Sequence, residues 1–174
     1  NGRKVWELSW SKTQAPYGSL NASIDAKTGN ILSINLYKGY DPNRKTSPIP
    51  KYSEEEARQI AENFAKKLQP EEFAKTRLSE DTTPIYPLTG SVYRDSYYFN
   101  FVRTEKGIPV EGNGINIRVD AHTGDIENYS FIWSWEPLPS PEKIISLEDA
   151  QQVFKDEIGL KLIYRRYYDY YTQD

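Results

Sequence analysis

The chain has 174 residues, enough for one large domain or two small ones, with a net charge of −3, no methionine and no cysteine. The missing cysteine excludes disulfides, thiolate nucleophiles and zinc–sulfur sites, and the lack of a basic stripe excludes a nucleic-acid footprint. Apolar runs of only a few residues are too short to span a membrane, while aromatics at 14 % favour sheet.

In chain order, the first element is a strand around Val5–Trp10 (VWELSW). Because the sequence starts at NGRKVW, part-way into that strand, it reads as an excised piece of a longer protein. Any addressing signal would then lie in the parent. Next comes Asn21–Tyr37, NASIDAKTGNILSINLY, in which Leu32, Ile34 and Leu36 alternate with polar residues. Period-two alternation is the mark of a half-buried strand.

The five residues Asp25–Gly29, DAKTG, return as Asp120–Gly124, DAHTG, at an offset of 95 (25 to 120). Asp accepts a hydrogen bond from the backbone two residues on, and Gly supplies the positive φ that closes a turn. Asp25, Gly29, Asp120 and Gly124 are therefore read as structural turn residues. Metal binding is the functional alternative. Each turn offers too few oxygen ligands and lacks the calcium-loop spacing, so neither a metal nor a cofactor is expected.

A linker, KGYDPNRKTSPIP, leads to a helix over Ser53–Leu68. Ser53 and Glu56 form a capping box; Ala57, Ile60, Ala61, Phe64, Ala65 and Leu68 form one apolar face; Pro70 ends it. The acidic run Glu54–Glu56 complements the helix dipole rather than marking a ligand site. A short helix or turn, PEEFAKTRL, follows, and then an extended edge piece near Ile85–Leu88, broken by Pro84 and Pro87. Ser96–Asp120 gives two strands turning at Lys106-Gly107, with Ile115, Ile117 and Val119 facing one way. After DAHTG, Tyr129, Phe131, Trp133 and Trp135 continue the alternation. EPLPSPEK is a Pro-rich linker. Ser146–Val153, SLEDAQQV, repeats Ser53–Ile60 at an offset of 93 (53 to 146), with Ala150, Val153, Phe154 and Ile158 apolar and Gly159 placed to terminate it. Two distant matches at nearly one offset indicate a duplicated domain.

These elements imply an α+β fold, and the quoted motifs resemble a known family. INIRVDAHTGDIENY, the preceding KGIPVEGNG and the capped SEEEARQIAENF resemble the PepSY superfamily, and within it the YcdB/YcdC-type repeated domain. The resemblance implies tandem PepSY-like units, each a helix packed on a curved antiparallel β-sheet. Residues 44–138 would be one complete central unit. Residues 1–38 and 141–174 would be two half-units that complement each other, within one chain or head to tail between chains, with VWELSW standing where YYFNFV stands. The resemblance also implies a non-catalytic module outside the cell or in the envelope of a bacterium. Its expected partner is a protein, either a peptidase that it inhibits or helps to fold or a neighbouring repeat.

Residues weigh against catalysis as well. His122 is the one histidine and occupies the variable position of the turn, where the other copy has Lys27, so a solvated turn histidine is expected. Asp125 and Glu127 are a carboxylate pair of the kind a hydrolase uses, but such pairs arise by chance in a charge-rich sequence. A glycan-binding module is the second reading, since 4 Trp and 14 Tyr could build stacking platforms or fill the core. In YRRYYDYY, Tyr167 and Tyr171 point to one strand face and Tyr168 and Tyr170 to the other. One helix covers only one face of a sheet, so these four tyrosines, with Trp133 and Trp135, are the partner-contact candidates.

Overall fold

The computed structural model describes residues 3–14, 17–39, 49–79, 95–141 and 145–159. The expected extended piece near Ile85–Leu88 and the four tyrosines at 167, 168, 170 and 171 lie outside the described residues. The chain divides into two bodies, residues 1–134 and 135–174.

The first body is α+β and carries a seven-stranded antiparallel sheet. Its elements are β1 (Val5–Lys12), β2 (Gly18–Asp25), β3 (Ile31–Lys38), α1 (Glu54–Leu68), α2 (Pro70–Phe73), β4 (Thr76–Leu78), β5 (Ser96–Glu105), β6 (Ile108–Asp120) and β7 (Ile126–Ile132). The sheet runs β1-β2-β3-β7-β6-β5-β4. The last third of PEEFAKTRL is thus an edge strand, because Thr76–Leu78 pairs with Arg103–Phe101 of β5. Lys106 and Gly107, with φ of 49° and 80°, make the two-residue turn between β5 and β6.

Helix α1 begins as expected. The Ser53 hydroxyl accepts from the Glu56 N–H, and the Glu56 carboxylate accepts from the Ser53 N–H. Its alanines, Ala57, Ala61 and Ala65, are wholly buried. Residues this small let the helix axis come close to the sheet. Beneath it lie Tyr97, Phe99 and Phe101 of β5, Ile115, Ile117 and Val119 of β6, and Tyr129 and Phe131 of β7. Phe64 meets Tyr129 edge-on, with ring centroids 5.7 Å apart, and Phe73 meets Phe101 at 5.1 Å. The other face of the sheet is polar. One row across it reads Ser9, Asn21, Asn35, Asn128, Arg118 and Tyr98.

The strands that follow the two DAxTG turns, β3 and β7, pair with each other. Ser33 faces Ser130, Ile34 faces Tyr129, and Asn35 faces Asn128. At the repeat offset of 95, Ile34 is equivalent to Tyr129, Ser33 to Asn128 and Asn35 to Ser130. The register therefore obeys a local two-fold axis through the Ile34–Tyr129 pair. The axis is normal to the sheet, since both strands keep their equivalent residues on the same face. Even the irregularities match: the ladder slips between Ser23 and Ile24 in one half and between Arg118 and Val119 in the other.

The second body contains α3 (Leu147–Val153) and a π-helical turn over Phe154–Ile158. The Ser146 hydroxyl accepts from the Asp149 N–H at 3.0 Å, and Gly159, at φ 69°, ends the segment.

Candidate functional site

Three places could carry function: the repeated turns, the acids and histidine beside them, and the uncovered half of the sheet. The two turns match bond for bond. Asp25 Oδ1 accepts from the N–H groups of Lys27 and Thr28 at 2.7 and 2.9 Å. Asp120 Oδ1 accepts from those of His122 and Thr123 at 2.8 and 2.9 Å. Gly29 and Gly124 each donate to the carbonyl of their Asp at 2.9 Å. The structural reading of Asp25, Gly29, Asp120 and Gly124 accounts for every one of these contacts.

Each turn carboxylate also holds a cation from elsewhere in the chain. Arg3 Nε donates to Asp25 Oδ2. Lys38, at the end of β3, crosses to the other turn, 2.8 Å from Asp120 Oδ2 and 2.7 Å from Asp125 Oδ2. The Arg3 hydrogen bond, with the Thr28 and Lys27 amides, holds the Asp25 carboxyl at about 2. Burial alone would raise Asp120, but Lys38 and the His122 and Thr123 amides outweigh it and hold the carboxyl well below the usual range. Lys38 also lowers Asp125, against burial. For Lys38 itself, burial works against the charge, and the two carboxylates overcome it and raise its pKa.

The other polar candidates are committed to structural contacts. Glu127 is 3.0 Å from Arg118 Nε and accepts from Ser96 Oγ at 2.8 Å. The His122 side chain is only 15 % exposed, with Nε2 3.8 Å from the Asp95 carboxylate. It is therefore less solvated than a turn position suggests. Trp133 is 7 % exposed, stacked on Phe131 and capped by Arg103 at 4.7 Å, whereas Trp135, in the second body, is 58 % exposed. Among the described residues, no three His, Asp or Glu side chains converge as metal ligands do.

The third place is the floor formed by β1–β3. Its rows are Trp6–Ile24–Ile31, Leu8–Ala22–Ile34 and Trp10–Leu20–Leu36. These correspond to Tyr97–Val119–Ile126, Phe99–Ile117–Tyr129 and Phe101–Ile115–Phe131 in the other half. Since Ile34 pairs with Tyr129, both sets face the same side of the sheet. The β5–β7 rows are buried under α1 and α2. The β1–β3 rows are open at β1, with Trp6 65 % and Trp10 53 % exposed, and half-buried on β2 and β3, where Ile31 and Ile34 pack against the core. At one end a groove of about 520 Å³ is lined by Trp10, Tyr17, Leu20, Leu36, Tyr37 and Lys38. Alternation in VWELSW puts Trp6, Leu8 and Trp10 on one face. That signal lay in the sequence, but only the sheet order shows which side of the molecule they occupy.

A family model described as the YcdB, YcdC repeated domain matches residues 1–133. Among solved structures, the Bacillus megaterium YpeB C-terminal domain is similar at 18 % sequence identity and a TM-score of 0.44. That match covers 86 % of this chain and 65 % of the other, so this chain spans less than two thirds of that protein's length. No curated protein matches.

Proposed function

The chain belongs to the YcdB/YcdC repeated-domain family, and from that membership we propose that it is a non-catalytic protein-interaction module whose binding surface is the open half of the sheet. The observation that carries this reading is the exposed row of Trp6, Leu8 and Trp10 over an apolar floor. Contiguous exposed apolar surface of this kind marks a binding site. In this reading the two sheet halves are two PepSY-like units, one with its helix and one without. The partner is a protein outside the cell or in a bacterial envelope, a peptidase held inhibited or helped to fold. Trp135 and the tyrosines at 167, 168, 170 and 171 are secondary contacts.

The chemistry of the acids supports a binding role. A two-carboxylate hydrolase needs one carboxyl still protonated near neutral pH. Of the pair Asp125 and Glu127, Asp125 is pushed the other way by Lys38, and Glu127 is engaged by Arg118 and Ser96. The groove favours one second reading, glycan binding, because Trp10, Tyr17 and Tyr37 present exposed rings at its rim.

The test is a titration of the chain with a secreted serine peptidase and, separately, with soluble peptidoglycan fragments, read by tryptophan fluorescence. Peptidase binding that Trp10→Asp weakens at least tenfold, with the melting temperature unchanged, is the expected result. Glycan binding lost in Trp10→Asp moves the conclusion to the second reading. Turnover of peptide or polysaccharide lost in Glu127→Gln overturns both.

A further inference from the structure

We infer that the face of the sheet turned away from α1 carries a binding site of its own, a groove over β4, β5 and β6 that takes a neutral glycan. It lies on the opposite side of the sheet from the β1–β3 floor, so it goes beyond the protein-binding reading and does not rest on it.

Phe99, Phe101, Ile115 and Ile117 lie in the core beneath α1. The alternate residues Asn100, Val102, Gly114 and Asn116 therefore face the other way. They line a groove of about 800 Å³, together with Arg77 of β4 and Glu111 of β6. That is the size of a small-ligand site. The hollow is set by the backbone. Across the row Arg77–Val102–Gly114–Ile132, Gly114 leaves a gap between Val102 and Ile132. A Cβ at Gly114, whose φ is 151°, would run into the Phe101 carbonyl oxygen. No larger residue can fill the gap.

In the next row, Asn100 and Asn116 stand directly opposite each other. Cross-strand partners have Cβ atoms about 5 Å apart. Asparagine is depleted in strands, so two of them paired in mid-sheet run against propensity. Each offers a planar amide with two N–H donors and an acceptor oxygen. Other asparagines of the sheet use theirs within the fold. Asn35 and Asn128 bond each other at 2.7 Å, and Asn113 Oδ1 accepts from the Ser134 N–H at 2.6 Å. Among the described residues, the side-chain amides of Asn100 and Asn116 have no such partner.

The lining selects the occupant. It holds no Phe, Tyr or Trp, the residues on which protein partners anchor. In the sheet order β5 lies between β4 and β6, and β6 between β5 and β7. The groove floor therefore has no open strand edge for an extended peptide to join. Arg77 and Glu111 cancel in charge, whereas a nucleic acid needs a surplus of cations. What remains is a pair of amides beside an apolar strip of Val102, Pro109 and Ile132. A sugar ring matches both, since its neighbouring hydroxyls donate and accept while its C–H face is apolar. The occupant is an oligosaccharide of uncharged pyranoses.

The test is an NMR titration of the whole ¹⁵N-labelled chain with cellotetraose, maltotetraose and chitotetraose, and with the tetrapeptide Ala-Gly-Ala-Gly as a control. At least one oligosaccharide should move the side-chain amide signals of Asn100 and Asn116 more than those of Asn35 and Asn128. Asn100→Thr and Asn116→Thr should each weaken that binding about tenfold, the loss of a hydrogen-bonded amide. Neither should lower the melting temperature, because threonine suits a strand better than asparagine. Trp10→Asp should bind like wild type. Silence from all three oligosaccharides overturns the inference, and so do equal shifts with the tetrapeptide. Binding lost in Trp10→Asp and kept in the threonine variants overturns it in favour of the groove at Trp10. A melting temperature that falls in both threonine variants overturns it too, since the amides would then serve the fold. The peptidase titration reads the other face, so either reading can fail without the other.

Discussion

Gly29 and Gly124 hold nearly the same backbone, φ 77° and 75°, in different surroundings. A Cβ added to Gly29 meets nothing within 4 Å, while one added to Gly124 meets Tyr52 at 3.1 Å and Ile60 at 3.2 Å. Both alanine variants carry the left-handed penalty of about 1–2 kcal/mol. Gly124→Ala adds about 1 kcal/mol more from overpacking. Thermal melts should rank Gly124→Ala below Gly29→Ala, and the reverse order would remove α1 as the cause. The turn carboxylates give the chain an acid dependence with a definite sign. Asp25 falls from its ordinary 3.8 to about 2 in the fold, and Asp120 is depressed as well. A depressed folded pKa gives stability that is full above the unfolded value and lost as pH falls through the folded one. Urea midpoints should therefore drop between pH 4 and about 2, and Asp25→Asn should flatten part of that drop. An unchanged slope in Asp25→Asn would show that Arg3 does nothing for the native state. The turn itself was legible from Asp and Gly alone, because its bonds are local. Arg3 and Lys38 were not, because their partners stand 22 and 82 residues away.

At the scale of elements, what could be read was whatever carries its own period or its own stop. Ser53 and Glu56 start α1 and Pro70 follows it, and the Lys106-Gly107 pair turns β5 into β6. Alternation put Tyr129 and Phe131 inside with no knowledge of their neighbours. Strand β4 was missed because Thr76–Leu78 is too short to show alternation and buries none of its residues; it is strand only because β5 offers an edge. Leu32 was read in phase with Ile34 and Leu36, yet the ladder passes from Ile24↔Ile31 to Ser23↔Ser33 around it. A bulge shifts phase by one residue, and no composition marks it. The join between β3 and β7 had no local signal either. Its residues, Ser33, Asn35, Asn128 and Ser130, are polar on the joining rows, as solvent-facing positions of any strand are.

At the scale of the molecule, the β3–β7 ladder makes one continuous sheet from the strands that follow the two DAxTG turns. Amide exchange should show this as one unit, with the slowest protons in β3, β6 and β7 and the fastest in the edges β1 and β4. If β1–β3 exchanged together at a lower free energy than β5–β7, the ladder would be a contact between two independent sheets. The two-fold relation also limits how such repeats can be counted. A half-turn applied twice returns to its start. Once β3 has met β7, both joining edges are used, and a third repeat has no equivalent strand to approach. Translation would let a sheet lengthen with every duplication of its gene, as solenoids do. Rotation stops at two. A third strand of the same kind would find neither joining edge free, because β3 and β7 already occupy each other's.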